Sequence, residues 1–309
     1  MGILLRHSFL LVAIVFLFSF TISKTYAGPI CIEQFHDVHL YDFSSIPRPA
    51  RIKWFRDQVY SAMKQLPRRT SDIAYGQSRL IPVGEAFEKI LKLRRNQYLR
   101  LKDLSLRFAN EFPNHILNKA FADTLKKIRL DSYSLKRIRD KIPRHNITFY
   151  KKRGDNQSLQ YPPENYYSHF ETLLSQASGA ISELVVAFNV KQYIGSNLLI
   201  KDIVNTRQVR NILTAEGIPK DIINRFFSLE MDVIFNSGSG WGEVKNFSKI
   251  QSTGSNNIRL IVKKARFILD LVRILNEYGY SIQYHLYVIQ GGISYDQKKR
   301  LINAGIRVH

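Results

Sequence analysis

Apolar positions along the chain follow two rhythms, and the change between them divides it in two. In the first half they recur every three or four residues. Ile52, Phe55, Val59, Met63 and Leu66 predict a helix that Pro67 ends. Phe87, Leu91, Tyr98, Leu101, Leu104 and Phe108 predict a second, set between Pro82 and Pro113. Ile116 to Ile128 predicts a third, and Asp131 or Ser132 caps a fourth that stops before Pro143. Lys151-Lys152-Arg153-Gly154-Asp155-Asn156-Gln157 is then polar and turn-rich, with Pro162-Pro163 close behind, which marks a domain boundary.

Beyond it, helical and strand patterns alternate. Ser178 to Tyr193 reads as a helix with Ile181, Leu184, Val185 and Phe188 on its buried stripe. Asn197 to Val204 reads as a strand, and Thr206 to Glu216 as a helix stopped by Gly217 and Pro219. Ser228 to Phe235 and Trp241 to Phe247 read as strands joined by Ser237-Gly238-Ser239-Gly240. Ile258 to Tyr278 is a long amphipathic helix ending at Gly279, and Tyr280 to Gln290 is a strand rich in Tyr, Ile and Val. Tyr295 to Asn303 is a short helix, after which Gly305 leads into Ile306-Arg307-Val308. The expected architecture is a basic all-α domain at 28–153 followed by an α/β domain at 154–309, a mixed sheet flanked by helices. No period of 20–50 residues signals a repeat fold.

Residues 1–27 stand apart from both. Arg6 precedes an uncharged apolar run from Ser8 to Ser23, and Thr25-Tyr26-Ala27 offers a small-residue cleavage site. Sixteen residues lie nearer the length of a signal peptide than of a spanning helix. The expectation is export to the periplasm or beyond, with no stable membrane partner after cleavage; an uncleaved anchor is the alternative. Cys31 is the only cysteine, so no intrachain disulfide forms. It does not directly follow a small residue at the expected cut, which argues against a lipid anchor.

Charge sharpens the division. The chain carries a net +21, and Arg48 to Arg153 holds 27 Lys and Arg against 9 Asp and Glu. From Gly154 onward the balance is 17 against 13. A polyanion-binding half joined to a chemistry half accounts for this. Arg68, Arg69, Arg94, Arg95, Lys126, Lys127, Lys151, Lys152 and Arg153 are the candidate phosphate contacts, with Trp54, Tyr60, Tyr75, Tyr98 and Tyr133 interleaved for base stacking. Solvated helix faces and core aromatics are the plainer reading of each cluster, and an anionic membrane would attract the same field.

The chemistry sits in the less basic half. Glu183 interrupts an apolar helix stripe, where a buried acid needs a partner. Asp232 lies on one expected strand, and Glu243-Val244-Lys245 on the next. Alternation puts Glu243 and Lys245 on one face and Val244 on the other. If Asn236 and Trp241 close a four-residue loop, Asp232 falls opposite Lys245 and joins that face. Two carboxylates and an ammonium then converge, the oxygen donors that Mg²⁺ takes beside a substrate phosphate. Lys245 is placed to orient water or to stabilise charge developing on phosphorus. Glu230 shares the Asp232 face, and Asn246, Ser248 and Gln251 follow the motif closely; strand-edge, turn and cap roles are preferred for these.

In these residues, over roughly Glu164 to His309, the chain resembles the PD-(D/E)XK nuclease superfamily, the restriction-endonuclease-like fold. The motif context is also similar to nuclease domains of bacterial polymorphic toxins. The resemblance implies a helix, a three-stranded meander, a crossover helix and a further strand. It implies a metal site of Glu183, Asp232, Glu243 and the backbone carbonyl of Val244, with Lys245, Glu243 and Asp232 catalytic and Mg²⁺ as cofactor, Mn²⁺ being the alternative. The expected function is an exported nuclease acting on nucleic acid, DNA foremost, with an immunity protein as a candidate partner. The alternative is a catalytically inactive nucleic-acid- or envelope-binding protein that keeps the fold. His36-x-x-His39 and His145-Asn146 lack the surroundings of a zinc site or a histidine–metal nuclease. A glycan on the sequon Asn246-Phe247-Ser248 would block the acids, which favours bacterial export.

Overall fold

The computed structural model describes residues 47–66, 83–129, 140, 164–246, 256–290 and 292–309. The expected leader, Cys31, the fourth helix, the boundary stretch around 154 and His145 all lie outside them. Phe43–His309 forms a compact unit.

Three helices come first: α1 (Arg48–Lys64), α2 (Val83–Glu111) and α3 (Leu117–Ile128). They pack on α4 (Glu164–Asn189), which begins fourteen residues ahead of the expected start. Their apolar stripes are the expected ones, with one correction. On α2 the buried line runs Phe87, Ile90, Arg94, Gln97, Leu101, Leu104 and Phe108. Leu91 and Tyr98 flank it.

The sheet is mixed. The segment 194–199 includes strand β1 (Leu198–Leu199) and runs antiparallel to β2 (Glu230–Met231) and β3 (Val233–Phe235). The pairs Leu198↔Met231 and Gly195↔Ile234 belong to one register, interrupted at Asn197 and Asp232. β3 pairs antiparallel with β4 (Gly240–Asn246), and β4 pairs parallel with β5 (Gln283–Gln290). β6 (Arg307–Val308) adds in parallel on β5. A parallel β4–β5 pair requires a crossover, and α8 (Asn256–Glu277) lies between them in the chain.

Strand alternation gives each face its own core. Val233, Phe235, Val244, Tyr287 and Ile289 join the core of α1–α4. Met231, Ile234, Trp241, Tyr284, Leu286 and Val288 pack against α8 and three smaller helices: α6 (Thr206–Ala215), α7 (Lys220–Phe227) and α9 (Tyr295–Asn303). The helical half and the α/β half are thus joined through α4, which buries one side on α1–α3 and the other on the sheet.

One expected element changes and one helix is added. Asn197 to Val204 is not a continuous strand: after Leu199 the chain turns into the single helical turn α5 (Ile200–Ile203). There the Ile200 amide donates to the Leu229 carbonyl, and the Ile200 side chain is buried. Helix α7 is the addition, between the expected helix and the expected strand; Ile222, Ile223, Phe226 and Phe227 recur at helical spacing behind Pro219.

Candidate functional site

The hairpin between β3 and β4 closes at Phe235↔Gly240, one residue earlier than expected at each end. Asn236 (φ 50°) and Ser237 (φ 56°) already take the left-handed conformation of the turn. Gly240 is required opposite Phe235, since a Cβ there would come within 2.5 Å of the ring. The Trp241 indole N–H donates to the Gly238 carbonyl at 2.9 Å and pins the turn. The ladder is therefore offset by two residues, and Asp232 comes level with Glu243 rather than Lys245. An even offset preserves the face, so the convergence survives the change of register.

Asp232 occupies the bend between β2 and β3. Its Oδ2 accepts the Val244 amide at 2.7 Å, where β4 has run past the end of its backbone pairing with β3. Lys245 Nζ lies 3.8 Å from the same oxygen and donates to Glu243 Oε1 at 2.5 Å. Glu243 is 5% exposed. Its other oxygen accepts from Lys264 Nζ on α8, also at 2.5 Å. Lys264 further donates to the Glu230 carbonyl at 3.1 Å, which ties the Asp232 bend to the helix.

Glu183 stands on α4 and points elsewhere. Lys127 Nζ reaches both its oxygens at 3.0 and 3.1 Å, and the Asn197 amide donates at 2.9 Å. Lys127 also donates to the Asn197 side-chain oxygen. The Asn197 main-chain N–H donates to the Asp232 carbonyl at 3.3 Å, so this residue connects the Glu183 cluster with the Asp232 bend. Asn197 has φ 56°, a conformation asparagine tolerates better than most residues.

The electrostatics follow from these contacts. Burial, with a smaller push from Asp232, raises the Glu183 carboxyl to about 7 against the pull of Lys127 and Asn197. Burial and the neighbouring Glu243 also raise Asp232. Burial acts the same way on Glu243, but Lys245 and Lys264 overcome it and hold that carboxyl below its usual range. Lys245 is desolvated too, yet Glu243 and Asp232 raise its ammonium above the ordinary lysine value.

Asp232, Glu243 and Lys245 are thus brought together, and Glu183 is placed near them with its own partners. Among the described residues no three acids, histidines or cysteines lie close enough to enclose an ion by themselves. Mg²⁺ does not ask for that: it keeps several waters and binds through one or two carboxylates and a phosphate. Asp232 and Glu243, both beside Lys245, have the donor chemistry for it. Every acid is paired with lysine, so such a cation shares or displaces an ammonium.

The basic residues separate as well. Arg94 is 2% exposed, and its guanidinium donates to the carbonyls of Leu173, Lys127 and Ile128. That corrects its expected role: it joins α2, α3 and α4 from within. Lys127 is turned to Glu183, whereas Arg95 and Lys126 are exposed. Arg68, Arg69, Lys151, Lys152, Arg153, Ser248 and Gln251 lie outside the described residues. Asn246 donates to the Ser178 and Ser182 hydroxyls, at 2.5 and 3.1 Å, and so anchors the end of β4 to α4.

Sequence reasoning missed Lys264, Asn197 and the second task of Lys127. Lys264 lies on the expected α8 helix beside Ala265, which is a signal for nearness to the sheet but not to Glu243. No family model, no curated protein and no solved structure matches this chain.

Proposed function

We propose that this protein is a metal-dependent phosphodiesterase acting on nucleic acid, DNA foremost, at Asp232, Glu243 and Lys245. The observation that carries the reading is their convergence: one ammonium within 3.8 Å of Asp232 and 2.5 Å of Glu243 on a shared face of the sheet. The element order supports it. Helix α4, the antiparallel run 194–199, 230–235 and 240–246, the crossover α8 and the parallel strand β5 follow the sequence of the restriction-endonuclease-like core.

In this reading Asp232 and Glu243 hold Mg²⁺ or Mn²⁺, with Glu183 as a third acid nearby and the Val244 carbonyl as the backbone ligand. A bound divalent cation supplies Lewis acidity toward phosphate and lowers the pKa of a coordinated water. Lys245 keeps its proton, orients the attacking water and stabilises charge on the phosphoryl oxygens. Exposed Arg95 and Lys126, with the basic clusters outside the described residues, draw the polyanion. Export remains part of the proposal, on the strength of residues 1–27.

A second reading, an inactive nucleic-acid or envelope binder with the same fold, draws support from the pairing of every acid with lysine. One experiment separates them: the purified full chain is incubated with supercoiled, linear and single-stranded DNA and with RNA. Cutting in Mg²⁺ or Mn²⁺ and none in EDTA is the expected result. Binding without cutting in any divalent cation supports the second reading instead.

A further inference from the structure

Glu243 is held from two sides. Lys245 Nζ takes Oε1 and Lys264 Nζ takes Oε2, each at 2.5 Å, so both oxygens of one carboxylate carry an ammonium. Both ammoniums sit on Glu243, although Asp232 beside it is the less closely paired acid, 3.8 Å from Lys245. The two lysines arrive from different elements, β4 and α8. The Glu243 side chain is 7% exposed, while those of Lys245 and Lys264 are 32% and 29% exposed. Both lysine side chains thus stay partly open to solvent above a buried acid, and the contact from Lys264 to the Glu230 carbonyl fixes its ammonium beside the Asp232 bend.

We infer that Lys264 is a second phosphate-contacting residue of this site, its ammonium taking a non-bridging oxygen of the substrate phosphodiester. The inference rests on the phosphodiesterase reading above. Charge counting supports it. Asp232 and Glu243 contribute two negative charges, and Lys245 and Lys264 two positive ones. With a divalent cation held on the acids, the group carries two positive charges. A phosphodiester and the hydroxide that attacks it carry two negative charges, which the transition state must bear. Lys245 alone leaves the site one charge short.

Hydrolysis forms the bond from the water oxygen to phosphorus and breaks that from phosphorus to the leaving oxygen. The leaving oxygen takes up the proton the water gives up. Lys264 gains and loses none, and exchanges a carboxylate oxygen for a phosphate oxygen through its flexible stem.

The test uses the full chain and a labelled DNA duplex. Binding is measured in Ca²⁺ over a range of salt, and cleavage in Mg²⁺, for the wild type, Lys264→Gln and Lys264→Arg. Lys264→Met, which keeps the packing stem, replaces the glutamine variant if that one unfolds. The neutral variant is expected to lose roughly 10- to 100-fold in cleavage, as for one charged hydrogen bond. Its salt dependence should flatten by about one phosphate contact. Lys264→Arg should restore both. An unchanged salt slope in a neutral variant, beside a wild type that binds and cuts, overturns the role of Lys264 and leaves the phosphodiesterase reading standing. A wild type that neither binds nor cuts removes both.

Discussion

A buried carboxyl resists ionising, and Glu183 is in that position. Burial and Asp232 together hold it at about 7 even though Lys127 and Asn197 favour its charge. The sign follows from proton counting. Between the ordinary value of 4.5 and about 7, the folded chain keeps a proton that the unfolded chain has released. This carboxyl therefore favours the fold most at low pH within that window and loses that advantage as pH rises through it. Glu183→Gln keeps the shape and cannot ionise. In metal-free protein the melting temperature of the wild type is expected to fall relative to Glu183→Gln as pH rises from 4.5 to about 7 and to level off above it. Parallel curves would mean that the carboxyl is not held up by its surroundings. At this scale the motif acids were legible because strand alternation is local and survives an offset of two. The partners were not: Lys127 is 56 residues from Glu183, and Lys264 is 21 from Glu243, distances that only the packed fold spans. Arg94 was misread for the converse reason. Position on the helix stripe assigns it to the interior, whereas residue type assigns it to the surface, and three backbone carbonyls decide for the interior.

The β3–β4 hairpin is the element on which the site depends, because its register sets which residues meet. Phe235 is buried in the core shared with α4, and Gly240 lies opposite it with no room for a methyl group. Gly240→Ala is expected to destabilise the fold by about 1–3 kcal/mol through overpacking. The midpoint of urea unfolding reads this directly. An unchanged midpoint would show that the hairpin does not close at Phe235↔Gly240. The long helices and the strand β5 were legible because each carries its period over eight residues or more. The strand expected at 197–204 was not, because Leu198 to Val204 offers apolar residues to both a strand and a helical turn. The bond from Ile200 to Leu229, long-range contact again, chooses the turn after two residues.

At the scale of the molecule, the described helices of the basic half and one face of the sheet share a core. Phe55, Val59, Phe108 and Phe121 belong to the same cluster as Ile181, Val233 and Val244. Lys127 and Arg94 add polar ties from this half to Glu183 and to Leu173 on α4. Equilibrium unfolding of the full chain should therefore show one transition, coincident by far-ultraviolet circular dichroism and by the fluorescence of Trp54 and Trp241, which sit in different cores. Two resolved transitions would mean that the halves unfold apart. Composition pointed to two halves because charge is a surface property; the core that joins them is apolar and leaves no trace in the charge count.

The proposed function turns on Asp232, Glu243 and Lys245 acting together as a metal-dependent phosphodiesterase site. Plasmid cleavage in Mg²⁺, measured side by side for the wild type and Lys245→Ala, tests it most directly. Cleavage by the wild type is expected, with a loss of roughly 100- to 1,000-fold in the variant, as for one preorganised donor to a developing anion. Cleavage that survives undiminished in Lys245→Ala contradicts it.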